Sequence, residues 1–114
     1  TKGLTAIATE LLIAAQRSGL EEPLWNELST SQQELVNILK RSIPSMLPKA
    51  HRWVGEMEEI ADTFKALNLT ERTFEGAADV YRLVKDTSLG RETPEESDRS
   101  RSLGEIVAIL SNEG

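Results

Sequence analysis

The residues most able to do chemistry are concentrated in one stretch, Lys49 to Phe64, which reads KAHRWVGEMEEIADTF. It holds the only histidine of the chain, His51, next to Arg52. Arginine offers a rigid bidentate fork to a carboxylate or a phosphate, so this pair could bind an anionic substrate. The simpler interpretation is an ion pair between Arg52 and Glu56, one helical turn later, worth about 0.2–0.5 kcal/mol. The spacing favours the ion pair and leaves anion binding open.

Acidic residues in the same stretch raise the question of a metal site. Carboxylate-bridged iron sites in helical bundles use paired Glu-x-x-His motifs. No glutamate here is followed three residues later by a histidine, and one histidine cannot serve two such motifs. A solvated helix face is the better explanation of these acids, which are Glu56, Glu58, Glu59 and Asp62.

Motifs for nucleophilic catalysis and for nucleotide binding are missing from the sequence. There is no cysteine, which excludes disulfides, thiolate metal sites and cysteine nucleophiles. Several serines lie near predicted helix ends, where capping explains them. The seven glycines never approach the G-x-G-x-x-G spacing, so the chain by itself does not bind a dinucleotide in the usual way.

The element that must position the central stretch is a helix predicted from Ser45 and Pro48 to about Leu67, ending at Asn68. Its apolar residues recur at three- and four-residue steps and form one stripe. Gly55 inside it costs about 1 kcal/mol against alanine, which suggests a bend or a close approach by another helix or a ligand. The stripe consists of Ala50, Trp53, Val54, Met57, Ile60, Ala61, Phe64 and Leu67.

Three helices are predicted before the central one. The first ends at Gly19, the natural left-handed residue after a helix. It is so apolar that we expect it to be buried on most sides, in the core or in a subunit contact. A short helix opens at Glu21, and Ser31 begins a capping box for a third helix that Pro44 should stop. The stripe of the first helix is Leu4, Ile7, Ala8, Leu11, Leu12 and Ala15, and that of the third is Leu35, Ile38, Leu39 and Ile43.

Two more helices are predicted after the central one. Thr70 caps a fifth helix that carries an apolar stripe, and residues 86–101 are then so polar that we expect a mobile loop. Residues 102–114 form a short helix with a capping box at Ser102, and it should dock on its own domain or on a partner subunit. No useful stretch has strand periodicity, so the sequence predicts an all-α domain of about six helices. The fifth stripe is Phe74, Ala77, Ala78, Tyr81 and Val84.

The composition of the chain argues against two classes of partner, nucleic acid and membrane. The formal charge of −6, with 13 scattered basic residues, argues against binding to nucleic acid. The most apolar run, Leu4 to Ala15, is too short for the roughly 20 residues that a membrane-spanning helix needs. Nor does the chain open as a signal peptide does. We therefore expect a cytoplasmic protein with neither nucleic acid nor membrane as a partner.

Three segments carry a family resemblance. They are Thr1-Lys-Gly-Leu-Thr-Ala-Ile-Ala-Thr-Glu10, the stretch Lys49 to Phe64, and Phe74-Glu-Gly-Ala-Ala-Asp-Val-Tyr81. Together they resemble the helical C-terminal domain of phosphogluconate dehydrogenase-like, NAD-binding oxidoreductases. These enzymes belong to the β-hydroxyacid dehydrogenase superfamily, with 6-phosphogluconate and 3-hydroxyisobutyrate dehydrogenases. The resemblance covers roughly residues 1–85, and it implies a fold like the C-terminal domain of 6-phosphogluconate dehydrogenase.

The resemblance also implies a function. The family's N-terminal Rossmann domain holds NAD or NADP and its catalytic lysine precedes residue 1, so we expect a fragment that binds no cofactor and is inactive alone. This domain would close the substrate cleft and build a homodimer. Related enzymes have a Lys-Asp pair where Glu56-Met57 stands here, which leaves the choice between a hydroxy acid and a phosphorylated sugar acid open. The residues expected in the cleft wall are Lys2, His51, Arg52 and Glu56.

A non-enzymatic module is the alternative. The apolar first helix and the detachable C-terminal helix would equally suit a helical interaction or dimerisation domain with no catalytic role.

Overall fold

A computed structural model describes residues 1–114 and shows six α-helices with no strand. The all-α prediction of about six helices is therefore confirmed. A three-residue 3-10 turn, Leu47–Lys49, joins the third helix to the fourth. The helices are α1 Lys2–Arg17, α2 Glu21–Ser31, α3 Gln33–Met46, α4 Ala50–Ala66, α5 Arg72–Lys85 and α6 Leu103–Glu113.

The ends of α1 and α4 follow from their sequence. Gly19 has a φ of 73°, and Asn68, where α4 ends, has a φ of 61°. At both ends the third residue beyond the helix donates its N–H to a carbonyl in the last turn, Leu20 to Ala15 and Leu69 to Phe64. Glycine and asparagine tolerate this left-handed conformation, so both predicted helix ends are confirmed.

Two predicted boundaries of α3 are wrong. Ser31 belongs to α2, where its hydroxyl donates to the Glu27 carbonyl at 2.9 Å, and α3 begins at Gln33 without a side-chain cap. Pro44 does not stop α3, which runs on to Met46 and into the 3-10 turn. A proline removes one backbone donor, but Met46 and its neighbours Ile43 and Leu47 are fully buried here, and their packing outweighs that loss.

Helices α4 and α5 form the most extensive helix pair of the fold, and α1 packs across α5 and α6. The pair brings Met57 of α4 and Tyr81 of α5 into one core with the end of α3. The apolar stripe predicted for α5 is buried except for Phe74, which is half-buried. On α4 only Ala50, Met57 and Ala61 are buried, and Leu67 is exposed.

Helix α1 could turn either of two sides to the core. The structure buries the side that carries Thr5 and Thr9 and exposes the side that carries Leu4, Ile7 and Leu11. Thr5 and Thr9 are in the core, where their hydroxyls donate to the Thr1 and Thr5 carbonyls. These hydroxyls are satisfied within the helix itself, so their burial costs little. Of the predicted stripe, Leu12 and Ala15 lie in the core, so burial of the outward residues in a subunit contact stays a prediction. These residues are Leu4 at 69 %, Ile7 at 57 % and Leu11 at 50 % exposure.

The segment between α5 and α6 has no regular structure, but it is tied to the rest of the chain. Thr87 and Leu89 are buried, and both oxygens of the Glu113 carboxylate accept bonds from Ser88. The mobility expected for residues 86–101 stays a prediction.

Helix α6 begins with the predicted cap. The Ser102 hydroxyl accepts a hydrogen bond from the Glu105 N–H at 3.1 Å. The helix contacts α1 and α3 of its own chain. The side chains it buries there are Leu103, Ile106, Val107 and Leu110. None of the six helices has the length and apolar character required to cross a lipid bilayer.

Candidate functional site

The first turn of α1 lies against the middle of α4 and the start of α5, and a glycine permits that approach. A Cβ atom on Gly3 would lie only 3.0 Å from Cε1 of Phe74. The Phe74 ring in turn meets Phe64 edge-on, with centroids 4.9 Å apart. The absence of a side chain at position 3 thus brings its neighbour Lys2 up to α4.

Lys2 is held by three contacts across the chain. Its ammonium nitrogen lies 2.6 Å from a carboxylate oxygen of Glu56 and 4.8 Å from the centre of the Trp53 ring. Its backbone carbonyl accepts a hydrogen bond from the Tyr81 hydroxyl. The Lys2–Glu56 pair is partly exposed, so its energy is modest and its main effect is to fix the direction of the lysine.

The two aromatic side chains that contact Lys2, Trp53 and Tyr81, also contact each other. Trp53 and Tyr81 meet edge-to-face, with centroids 5.5 Å apart. Burial raises the pKa of the Tyr81 hydroxyl above its ordinary value, so the group is a neutral donor at physiological pH. The two rings form a rigid platform for the first turn of α1.

An apolar groove of about 440 Å³ opens beside Lys2, between α1, α4 and α5. A second, more open pocket shares Lys2, Met57 and Ile60 with it and is counted here as the polar part of the groove, bordered by Glu56, Glu59 and Thr63. Lys2 therefore lies where the apolar and polar parts meet. The apolar walls are formed by Leu4, Ile7, Met57, Ile60, Phe74 and Ala77.

The structure brings together two of the four residues expected in the cleft wall. The predicted Arg52–Glu56 ion pair is wrong, because Glu56 bonds Lys2 instead. Arg52 is exposed without a hydrogen bond, and at 100° per residue it lies about 40° from Glu56 around α4. His51 is also exposed, about 140° from Glu56 on the opposite edge of the helix. Lys2 and Glu56 are the centre of the site, Arg52 is peripheral and His51 faces elsewhere.

The remaining acids of α4 do not form a metal site. No three histidine, aspartate or glutamate side chains lie close enough together to hold an ion. Glu58, on the same edge of α4 as His51, instead accepts a bond from Arg82 of α5 at 2.9 Å. Glu58 therefore joins α4 to α5.

The groove does not fit NAD or NADP. A pyrophosphate needs a glycine-rich turn at a helix N-terminus or several free cations. The lysine that lines the groove is already neutralised by Glu56, and no glycine-rich turn exists in the chain. No hydride-transfer step can be assigned to these residues.

Sequence reasoning missed three side chains that shape the site. Tyr81 and Phe74 were assigned only to an apolar stripe, and Trp53 only to the core of α4. Their roles depend on contacts with residues 1–3, more than 50 positions away. No local pattern carries that information.

Comparison with known protein families gives a match. A family model described as "Domain of unknown function (DUF1932)" matches residues 15–84, more than half of the chain. The match includes His51, Arg52 and Glu56 and ends before α6. No curated protein and no solved structure matches the chain.

Proposed function

This chain belongs to the family described as Domain of unknown function (DUF1932), a domain found in NAD-binding dehydrogenase-like proteins, and we propose that it is the C-terminal domain of an NAD(P)-dependent oxidoreductase. In this proposal it forms one wall of the substrate cleft and builds the homodimer. The substrate is a hydroxy acid or a phosphorylated sugar acid, and the enzyme is cytoplasmic.

The observation that carries the proposal is the Lys2–Glu56 pair at the edge of an apolar groove. A cleft that binds a small molecule is mostly apolar with a few converging polar groups, and this groove has that composition. Lys2 belongs to the Thr-Lys-Gly segment on which the family resemblance rests. The roles follow from position: Lys2 donates a hydrogen bond to the substrate, and Glu56 holds the lysine in place.

The redox chemistry itself is assigned to other polypeptide. The proposal requires a Rossmann domain that holds NAD or NADP, together with a lysine that acts as acid and base at the substrate hydroxyl. In this proposal the chain forms one wall of the cleft, positions Lys2 as a hydrogen-bond donor and excludes water from the substrate. Arg52, one turn from Glu56, lies beyond the residues that line the polar end of the groove, and His51 faces away from it.

The outward face of α1 supports the dimer part of the proposal. Leu4, Ile7 and Leu11 follow one another at steps of three and four residues and are half or more exposed. A contiguous apolar stripe of this kind marks a surface that meets another protein surface. Because Leu4 and Ile7 also line the groove, the subunit contact in this proposal centres on Leu11 and leaves the groove open. The same face favours the alternative, a helical interaction module without catalytic activity.

The deciding experiment uses the reading frame around this chain. The protein encoded by that frame is expressed whole and assayed for NAD(P)-linked oxidation of hydroxy acids and phosphorylated sugar acids. We expect turnover, and we expect Lys2→Met to raise KM with a smaller change in kcat because Lys2 binds substrate without transferring its proton. Leu35→Gln on α3, outside the groove, is the control.

Two results would contradict the proposal. One is a reading frame that starts at this chain and encodes no strand followed by a glycine-rich turn, which would support the interaction module. The other is NADPH binding in the micromolar range by the 114 residues alone.

A further inference from the structure

We infer that the groove between α1, α4 and α5 accepts a molecule with an apolar body and at most one negative charge, and that Glu56 is the residue that excludes polyanions. The inference names the substrate class of the site proposed above, and its link to catalysis rests on that proposal. Of the two substrate classes left open, it selects an apolar hydroxy acid over a phosphorylated sugar acid.

The walls of the groove determine the body of the ligand. Six apolar side chains line it, and the polar groups in its apolar part lie at the ends of α1 and α5. A sugar chain has a hydroxyl on nearly every carbon and would lose hydrogen bonds to water against such walls without replacing them. An aryl or branched alkyl group has no such cost and gains about 25 cal/mol for each Å² of apolar surface that it buries.

The charges at the polar end determine the head of the ligand. Lys2 is the only cationic side chain that lines either part of the groove. The α-amino group of Thr1 also lies there, and the protein used in the test below is acetylated at that group to remove its charge. Glu56 neutralises it at 2.6 Å, and Glu59 borders the same polar part, so these three side chains sum to one negative charge. A phosphoryl dianion usually requires several free donors or an arginine fork, whereas a hydroxyl or a single carboxylate can share the lysine with Glu56.

The dimensions favour a small molecule over a helix of another protein as the occupant. A volume of about 440 Å³ is within the range of ligand clefts, about 300–1,000 Å³. The charged pair also lies at one end of the groove, where it can meet the polar head of an amphipathic molecule.

The test is an NMR titration of the 114-residue protein with two probes. 4-Phenylbutyrate has an apolar body and one carboxylate, and 6-phosphogluconate is a polar polyanion of similar length. At constant ionic strength we expect 4-phenylbutyrate to shift the amide signals of Gly3 and Thr73 and the indole signal of Trp53, saturably and in the millimolar range. 6-Phosphogluconate should leave these signals unchanged.

Two variants separate the contribution of the ligand's apolar body from that of its charged head. Leu4→Gln should weaken 4-phenylbutyrate binding about fivefold, because one apolar wall is lost. Leu35→Gln, the same change at an exposed leucine of α3 outside the groove, should not affect it. Glu56→Gln frees Lys2 and should allow 6-phosphogluconate to bind, whereas Glu34→Gln, which alters the net charge equally, should not.

The inference is overturned if 6-phosphogluconate binds the unaltered protein as well as 4-phenylbutyrate does. It is also overturned if neither probe shifts the groove signals, including the case in which a second copy of the chain covers the groove. The proposed function fails on a different result, the lack of NAD(P)-linked turnover, so the two failures are distinguishable.

Discussion

The hydroxyl of Tyr81 donates a hydrogen bond to the backbone carbonyl of Lys2, which joins the middle of α5 to the first turn of α1. The bond spans 79 residues of sequence. It anchors the lysine by its backbone, while Glu56 and Trp53 hold the ammonium group. The position of the site thus depends on a residue of the core.

Tyr81→Phe removes that bond and keeps the ring. We expect the free energy of unfolding to fall by about 1 kcal/mol, the usual contribution of one hydrogen bond. Urea denaturation followed by circular dichroism measures it. Thr63→Val is the control, because it removes an exposed hydroxyl that also donates to a backbone carbonyl. An equal loss in both variants would contradict a special role for the Tyr81 bond.

Gly55→Ala should stabilise the protein. The sequence suggested a bend or a close approach at this glycine, but no atom lies within 4 Å of a Cβ built there. Alanine inside a helix is favoured over glycine by about 0.8–1 kcal/mol, so the thermal midpoint should rise. Calorimetry would measure the rise, and a lower midpoint would show that another surface approaches α4 at Gly55.

Gly90→Ala should have the opposite effect. A Cβ at this buried position would lie 2.6 Å from the Lys85 Cα and 2.8 Å from the Val84 carbonyl carbon. Backbone atoms cannot yield as a flexible side chain does, so we expect a loss of about 1–3 kcal/mol by urea denaturation. A neutral result would mean that the segment after α5 moves away from the helix easily.

Leu11→Glu tests the outward face of α1 as a subunit contact. The residue is 50 % exposed and lies outside the groove, so the fold should persist while a charge enters the proposed interface. Sedimentation equilibrium should show dimers of the unaltered protein and monomers of the variant. Leu69→Glu, at another exposed leucine, should remain dimeric. A monomeric unaltered protein at high concentration would remove the basis for an oligomer-building role.

Acid should release the segment after α5 from α6. Hydrogen bonds from the Ser88 N–H and hydroxyl lower the pKa of the Glu113 carboxyl. A lowered pKa in the folded state means that the contact stabilises the protein above the ordinary glutamate pKa of about 4.3 and is lost as pH falls through the folded value. The amide shift of Ser88, followed by NMR, should report this loss below about pH 4.

Glu113→Gln provides the matching variant for the acid titration. It should remove the pH dependence of the Ser88 shift in that window, whereas Glu95→Gln, in the same segment, should leave it unchanged. A titration that persists in Glu113→Gln would assign the effect to another carboxyl group.

Short sequence signals predicted helix ends and a helix cap, because these features depend on interactions between neighbouring residues. Gly19 and Asn68 end their helices in the left-handed conformation, and Ser102 caps α6. Periodicity also identified the buried side of α5. Ser31 was misassigned because its hydroxyl competes for a carbonyl of its own helix, an option that sequence spacing does not distinguish from capping.

The buried side of α1 was not predictable from hydrophobicity. The threonine hydroxyls on one side are hydrogen-bonded within the helix, and the leucines on the other side are exposed. Which side of α1 is buried is therefore decided by tertiary packing and not by the local sequence. The site was likewise only partly predictable, because it depends on contacts between residues far apart in the sequence. Lys2 and Glu56 were both expected in the cleft wall, but their direct pairing across 54 residues was not, and it displaced the ion pair expected with Arg52.

Helix α1 carries both Lys2 at its start and Leu11 in its second half, about 14 Å apart on one continuous rod. A helix transmits displacement along its axis, because its backbone hydrogen bonds resist local stretching. A neighbour that presses on the leucine face therefore also shifts the ammonium group that borders the groove. If the leucine face forms the proposed subunit contact, assembly and ligand affinity should be linked through this one helix, so that each changes when the other is altered.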